Sequence, residues 1–174
     1  MAEYFTEAVV LDKKDLGDLD ARVFLFTEKL GKVRAKITSA RKITSKLSPH
    51  LEPLNFANVR LVERKNDFQV ADALKTGKFP NTEFLTILWL IKELSAENQP
   101  EPHLWALLKK IQIKPVSLSL LSGAILKIFG FDPKFAACDI CHKPSPDYFI
   151  FDDAKYLCKT CFSRQRVDGG YFKL

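Results

Sequence analysis

Cys138, Cys141, Cys158 and Cys161 are all the cysteines in this 174-residue chain, and they form two Cys-x-x-Cys knuckles separated by sixteen residues. Each knuckle offers two thiolates to one side of an ion, the spacing that wraps a single tetrahedral Zn²⁺ in a small ribbon. Four protein ligands leave no open position, so the metal is expected to be structural, a folding element rather than a Lewis acid. Disulfides are the rival reading, but Met1-Ala2-Glu3-Tyr4-Phe5-Thr6-Glu7 has neither a basic start nor an apolar run for export. A redox dithiol would need a βαβ setting that the flanking residues do not suggest. Cys138-Asp139-Ile140-Cys141-His142 also spells a c-type haem attachment, yet Phe162 follows the second knuckle and Met1 is the only methionine. His142 could replace one thiolate, although the four-cysteine set is complete without it.

A second group of residues points to a polyanion. Lys29, Lys32, Arg34, Lys36, Arg41, Lys42 and Lys46 fall within eighteen residues that hold no carboxylate, and the formal charge of the whole chain is only +6. The remainder is therefore near neutral, and the charge gathered here suits nucleic acid or a lipid surface. If Lys32-Val33-Arg34-Ala35-Lys36-Ile37 is a strand, alternation turns Val33, Ala35 and Ile37 inward and places Lys32, Arg34 and Lys36 in one outer row. The cations would then stand about 7 Å apart, near the stride of a phosphate backbone. Ser39 to Lys46 prolongs the charge into a loop whose hydroxyls also suit phosphates. Phe56 and Phe68 are candidate stacking platforms, with a buried core position as the alternative for each. No phosphate loop, His-Glu-x-x-His or deaminase motif occurs, and His50, His103 and His142 with scattered carboxylates make no catalytic set, so no enzyme activity is expected.

The positioning elements follow from hydrophobic period. Glu7–Leu11, Arg22–Thr27, Lys32–Ile37, Ala57–Val62 and Asp67–Ala71 alternate as five short strands, with turns at Lys29–Lys32 and Arg64–Asp67. Such material fits a five-stranded OB-type barrel, and an SH3-like barrel would use similar strands. From Pro80 the period becomes helical. Asn81 or Thr82 caps a first helix through Leu94, Pro100-Glu101-Pro102 breaks the chain, a second helix carries Leu104, Leu107, Leu108 and Ile111, and a third starts at Pro115 and ends at Gly130. A hairpin over Tyr148 to Leu157 lies between the knuckles. The expected organisation is β plus α: a nucleic-acid-binding OB domain over residues 1–78, then a small all-α bundle over 79–174 carrying the four-cysteine zinc ribbon at about 138–162. Lacking a membrane-length apolar run, the chain is expected to be cytoplasmic.

In this order the parts resemble the RecO family of bacterial DNA repair and recombination mediator proteins. The resemblance rests on Glu7-Ala8-Val9-Val10-Leu11, Gly17-Asp18-Leu19-Asp20-Ala21-Arg22-Val23, Thr27-Glu28-Lys29-Leu30-Gly31-Lys32 and Ser39-Ala40-Arg41-Lys42. It continues in Leu51-Glu52-Pro53-Leu54 and in Phe129-Gly130-Phe131-Asp132-Pro133 shortly before Cys138. It implies single- and double-stranded DNA binding, annealing of complementary strands coated by single-stranded-DNA-binding protein, contact with that protein's acidic tail, and work with RecR, often with RecF, to load RecA. It assigns DNA contact to Lys32, Arg34, Lys36, Arg41, Lys42, Arg22 and Lys46, and the metal to the four cysteines. Typical members continue for several helices past the second knuckle, whereas Phe162 to Leu174 follow here; the acidic-tail surface of relatives lies in the helical domain, so no residue is assigned to it. The alternative is an RNA-binding translation or ribosome-assembly factor, since barrels and ribbons of these kinds are common there; a third reading is an adaptor for an acidic protein tail.

Overall fold

Alternation along the first seventy-odd residues does build strands: β1 (Glu3–Leu16), β2 (Asp20–Thr27), β3 (Gly31–Ile37), β4 (Asn55–Glu63) and β5 (Phe68–Lys78). The structure is a computed structural model that describes residues 2–65, 67–114, 116–165, 167 and 170–174. The strands close into a barrel in the order β1-β2-β3-β5-β4. All neighbours are antiparallel except β3 and β5, which run parallel through Ala35 opposite Phe68 and Lys36 opposite Gln69. That is the five-stranded OB-type arrangement. Its interior is Ala8, Val10, Val23, Leu25, Val33, Ala35, Ile37, Val59, Leu61 and Val70 with their neighbours, each at most 5% exposed. The β4–β5 turn closes with the Arg64 amide donating to the Asp67 carbonyl at 2.8 Å; Asn66 lies outside the described residues.

Contacts divide the chain into residues 1–115 and 116–174. In the first unit, α1 (Phe84–Leu94) and α2 (Pro102–Ile113) follow the barrel. The Asn81 side chain accepts from the Glu83 amide just before α1. Pro102, expected within a break, occupies the first turn of α2, where its missing N–H costs nothing, and the Glu101 carboxylate caps the His103 amide. These helices cover part of the barrel's outer face. Val9, Phe26 and Phe56 are paired on adjacent strands and buried. Phe26 lies 6.5 Å from Trp105 of α2, and Phe56, Phe79 and Phe84 form an aromatic run at 4.8 and 5.0 Å. Lys92 reaches Asp12 at 2.7 Å and Lys109 reaches Glu7 at 3.0 Å, tying both helices to β1.

The β2–β3 turn is fixed at Gly31. Thr27 Oγ1 accepts from the Leu30 amide and donates to the Gly31 carbonyl, both at 3.0 Å. Gly31 has φ +68, and a Cβ there would stand 1.9 Å from the backbone oxygen of Gln99. The atoms it would meet, in Gln99 and Pro100, are backbone and not the end of a flexible side chain, so Gly31→Ala is expected to cost more than about 2 kcal/mol, read from the denaturant midpoint. A wild-type midpoint would contradict this packing.

In the second unit α3 spans Leu118–Ile128, while the expected start at Pro115 lies outside the described residues. Gly130, at φ +87, ends it: its amide donates to Lys127 and that of Phe131 to Leu126, the paired bonds of a Schellman cap. The expected hairpin is β6 (Tyr148–Ile150) with β7 (Lys155–Leu157). It is followed by the short α4 (Lys159–Arg164), and β8 (Tyr171–Lys173) pairs on the other side of β6. Among the described residues no helix is long and apolar enough to cross a membrane.

Candidate nucleic-acid interface and metal centre

Cationic side chains converge on the part of the barrel that the helices leave open. Lys14 of β1 is paired with Arg22 of β2, Arg22 with Lys36 of β3, and Lys36 with Gln69 of β5. Directly opposed residues share a face, and strands lie about 4.8 Å apart, so the three cations form a row across the strands. Gln69 continues it, because its Oε1 accepts from Arg64 Nε and Nη2 at 3.1 and 2.8 Å. The loop after β3 adjoins one end of this row: the Arg41 amide donates to the Leu19 carbonyl at 3.0 Å, and Arg41, Lys42 and Lys46 are exposed.

Alternation in β3 falls as expected, with Val33, Ala35 and Ile37 at 1, 1 and 0% exposure, but the three expected row members separate. Lys36 stays in the open row. Arg34 lies 3.2 Å from Glu97 and 3.5 Å from Asp67. Lys32 leaves the row: its ammonium donates to the Lys92 carbonyl at the end of α1, and burial lowers its pKa. Phe24 lies between the helix-covered surface and the cationic row, with Lys92 Nζ 4.6 Å and Lys14 Nζ 5.9 Å from its ring. Phe56 is core at 2% exposure, and Phe68 is half-buried with its ring edge-on to Tyr4 at 5.9 Å.

Carboxylates hold several of these cations. Asp20 lies 2.7 Å from Lys36, Asp67 reaches Arg22 at 3.8 Å, and Asp15 reaches Arg41 at 3.6 Å. The hydrogen bond from Lys36, then that from the Ser39 amide, keeps the Asp20 carboxyl below its ordinary pKa. Such exposed pairs are worth about 0–1 kcal/mol, so a phosphate can replace the carboxylate at a cost of no more than about fivefold in affinity.

The four cysteine sulfurs lie within 4.8 Å of one another, and Cys138, Cys158 and Cys161 are buried. Tetrahedral bonds of about 2.3 Å set ligand sulfurs about 3.8 Å apart, and Cys141 and Cys158 stand at 3.6 Å. Burial disfavours charge on Cys138, but the Cys141, Cys158 and Ile140 amides turned toward its sulfur bring its pKa down to about 6. Burial, then the neighbouring sulfurs, pushes Cys161 up to about 12. Amides favour a thiolate on one side while crowding opposes a second, so a cation among the sulfurs resolves the conflict, and the set can hold one metal ion. Asp139 clamps the first knuckle to β7, accepting from the Tyr156 amide at 2.6 Å, and Asp147 accepts from the Lys159 amide at 2.7 Å beside the second. His142 is exposed at φ +58 and stands outside the sulfur cluster.

Residues 1–75, the span of the barrel, match the family model described as "Recombination protein O N terminal". Likeness to RecO proteins continues past the barrel. The protein named "DNA repair protein RecO" from Myxococcus xanthus is 28% identical, with 95% of this chain and 75% of that protein covered. The chain is similar to RecO proteins along most of its length. Namesakes from Thermodesulfovibrio yellowstonii and Desulforudis audaxviator are 28% and 29% identical, covering 92% and 94% of this chain and 70% and 72% of their own lengths. In this barrel, sequence reasoning missed Lys14. It ended β1 at Leu11, whereas a register shift between Val10 and Asp12 lets the strand run on to Leu16 and brings Lys14 beside Arg22. The signal available was Lys13-Lys14 within the polar stretch that continues the first strand.

Proposed function

We propose that this chain is a non-enzymatic DNA-binding mediator of repair and recombination. It holds single-stranded DNA by its phosphates across β1, β2 and β3, anneals complementary strands, and helps load RecA onto DNA coated by single-stranded-DNA-binding protein. The observation that carries this reading is the cross-strand register of Lys14, Arg22 and Lys36, joined at one end by Arg41, Lys42 and Lys46. Two strands repel through their phosphates; cations that neutralise both lower the barrier to nucleation, while base pairing supplies the sequence match. Support comes from the family match and from relatives that carry the name DNA repair protein. Within this reading the partners are single- and double-stranded DNA, RecR, the acidic tail of single-stranded-DNA-binding protein and RecF. Lys32 and Arg34 act less directly than Arg22 and Lys36, being engaged by α1 and by Glu97. The metal is one structural Zn²⁺, because four thiolates in a closed tetrahedral set suit that ion.

Annealing of complementary oligonucleotides coated with single-stranded-DNA-binding protein, followed with and without the chain, tests the function. Acceleration is expected, and co-elution with RecR supports the pathway. Preference for structured RNA without annealing would overturn the reading. Asp67→Asn supplies a gain-of-function check: removing the carboxylate between Arg22 and Arg34 is expected to raise DNA affinity up to about fivefold. Weaker binding would show that Asp67 positions the cations rather than competes for them.

A further inference from the structure

At the β4–β5 end of the barrel, within the first unit, lies a cleft of about 310 Å³ lined by Tyr4, Leu30, Phe68 and Asn98 together with six charged side chains. We infer that it receives one unpaired nucleobase of a single strand whose phosphates lie on the neighbouring cationic row. This inference rests on the DNA-binding reading above and adds to it the source of a preference for single strands.

Three observations carry it. Charges in the lining balance, with Arg34, Arg64 and Lys65 against Glu63, Asp67 and Glu97, so the cleft has no net attraction for a phosphate. It does offer carboxylates and an amide, groups that accept from or pair with the amino and carbonyl edges of bases. Tyr4 and Phe68 then supply half-buried aromatic surface at 5.9 Å and 80° to each other, held from behind by the barrel core. A flat base gains by stacking on such a surface whatever its identity. The third observation is position. Asp67 lines the cleft and also reaches Arg22, while Arg64 lines it and holds Gln69 at the end of the cross-strand row. A backbone seated on Lys14, Arg22 and Lys36 therefore passes the mouth of the cleft. In a duplex the bases are stacked and paired and cannot enter. One base held apart in this way is kept unstacked and available to begin pairing with a complementary strand.

Stacking adds affinity that salt does not screen, whereas phosphate contacts set the salt slope, and this separates the cleft from the row. Phe68→Leu keeps apolar bulk against the core and removes the π face. Binding of a single strand of about 20 nucleotides, and of its duplex, would be followed by fluorescence anisotropy between roughly 50 and 200 mM salt. The variant is expected to lose roughly tenfold on the single strand with an unchanged slope, and to match the unaltered chain on duplex within about twofold. Equal loss on both, or no loss on the single strand, would overturn the site. A strand of the same length made wholly of abasic residues guards against damage by the substitution: the unaltered chain is expected to bind it roughly tenfold less tightly than the ordinary strand. Equal affinity for the two would overturn the cleft while leaving the cationic row in place. Failure of the unaltered chain to bind any DNA would overturn the proposed function itself, and the cleft with it.

Discussion

Replacing Lys14, Arg22 and Lys36 together with alanine is expected to weaken single-stranded DNA binding by about a hundredfold at roughly 0.1 M salt. Each lost single-strand phosphate contact removes about 0.7 from the slope of log affinity against log salt, so three remove about 2. A slope difference of that size, extrapolated from about 1 M to about 0.1 M salt, is about a hundredfold in affinity. The three side chains are on the barrel surface, none is in the apolar cluster, and the strands keep their inner residues. Folding should therefore be unaffected, which a thermal melt would verify. Lys32→Ala is the internal control. Its ammonium already donates to the Lys92 carbonyl under α1, so its removal should change affinity less than about twofold. Were Lys32 to matter as much as Lys36, α1 could not cover that part of β3 while DNA is bound.

Removing a metal held by the four cysteines should have an effect as large, in the other unit. A strong chelator, or Cys158→Ser, is expected to unfold the ribbon around β6 and β7 while leaving the barrel's melting transition in place. The apolar cluster at the centre is little more than Ile150, Leu157 and three cysteines, with Phe162 and Val167 against it. A second set of contacts surrounds it, as Phe149 meets Phe131, Phe151 and Tyr156 at 4.9 to 5.5 Å, and the Tyr156 hydroxyl donates to the Phe131 carbonyl at 2.7 Å. Burial, with the Asp132 charge beside it, pushes that phenol up to about 12, so it stays a donor at neutral pH. Even so, zinc in finger peptides contributes about 10 to 16 kcal/mol, more than a few ring contacts replace. Amide exchange is the readout. Protection of Phe149 and Tyr156 should vanish on metal removal and that of Val23 and Leu25 should persist, whereas unchanged protection throughout would contradict a structural metal.

How far the fold and the site were legible in the sequence can be judged at particular residues. The knuckle spacing sufficed to bring four sulfurs together because both knuckles are local and the hairpin between them is short. The β3 alternation was legible for the same reason, since Val33, Ala35 and Ile37 must face one way. What lay beyond local pattern was the outer face. Period 2 says that Lys32, Arg34 and Lys36 leave the core together, but only the course of α1 decides that Lys32 meets a helix end while Lys36 meets solvent. Lys14 entered the row through strand pairing after a bulge, and pairing is a long-range property. The carboxylates answering the cations were equally hidden: Asp15, Asp20, Asp67 and Glu97 fall outside the Lys29 to Lys46 stretch and return to it through turns and through the segment between α1 and α2. A charge count along the chain overstated the open positive surface, because the fold supplies partners from elsewhere.

The central claim is that DNA crosses β1, β2 and β3 on the barrel surface where Lys14, Arg22 and Lys36 stand clear of α1 and α2. The most direct measurement is a backbone amide titration by NMR with a short single strand, residue by residue. Shifts are expected at Lys14, Arg22, Lys36 and the loop through Arg41, Lys42 and Lys46, with little change at Phe5, Arg60 and Leu74 on the β1–β4–β5 side. Shifts concentrated at those last three residues, with Lys14, Arg22 and Lys36 unmoved, would contradict it.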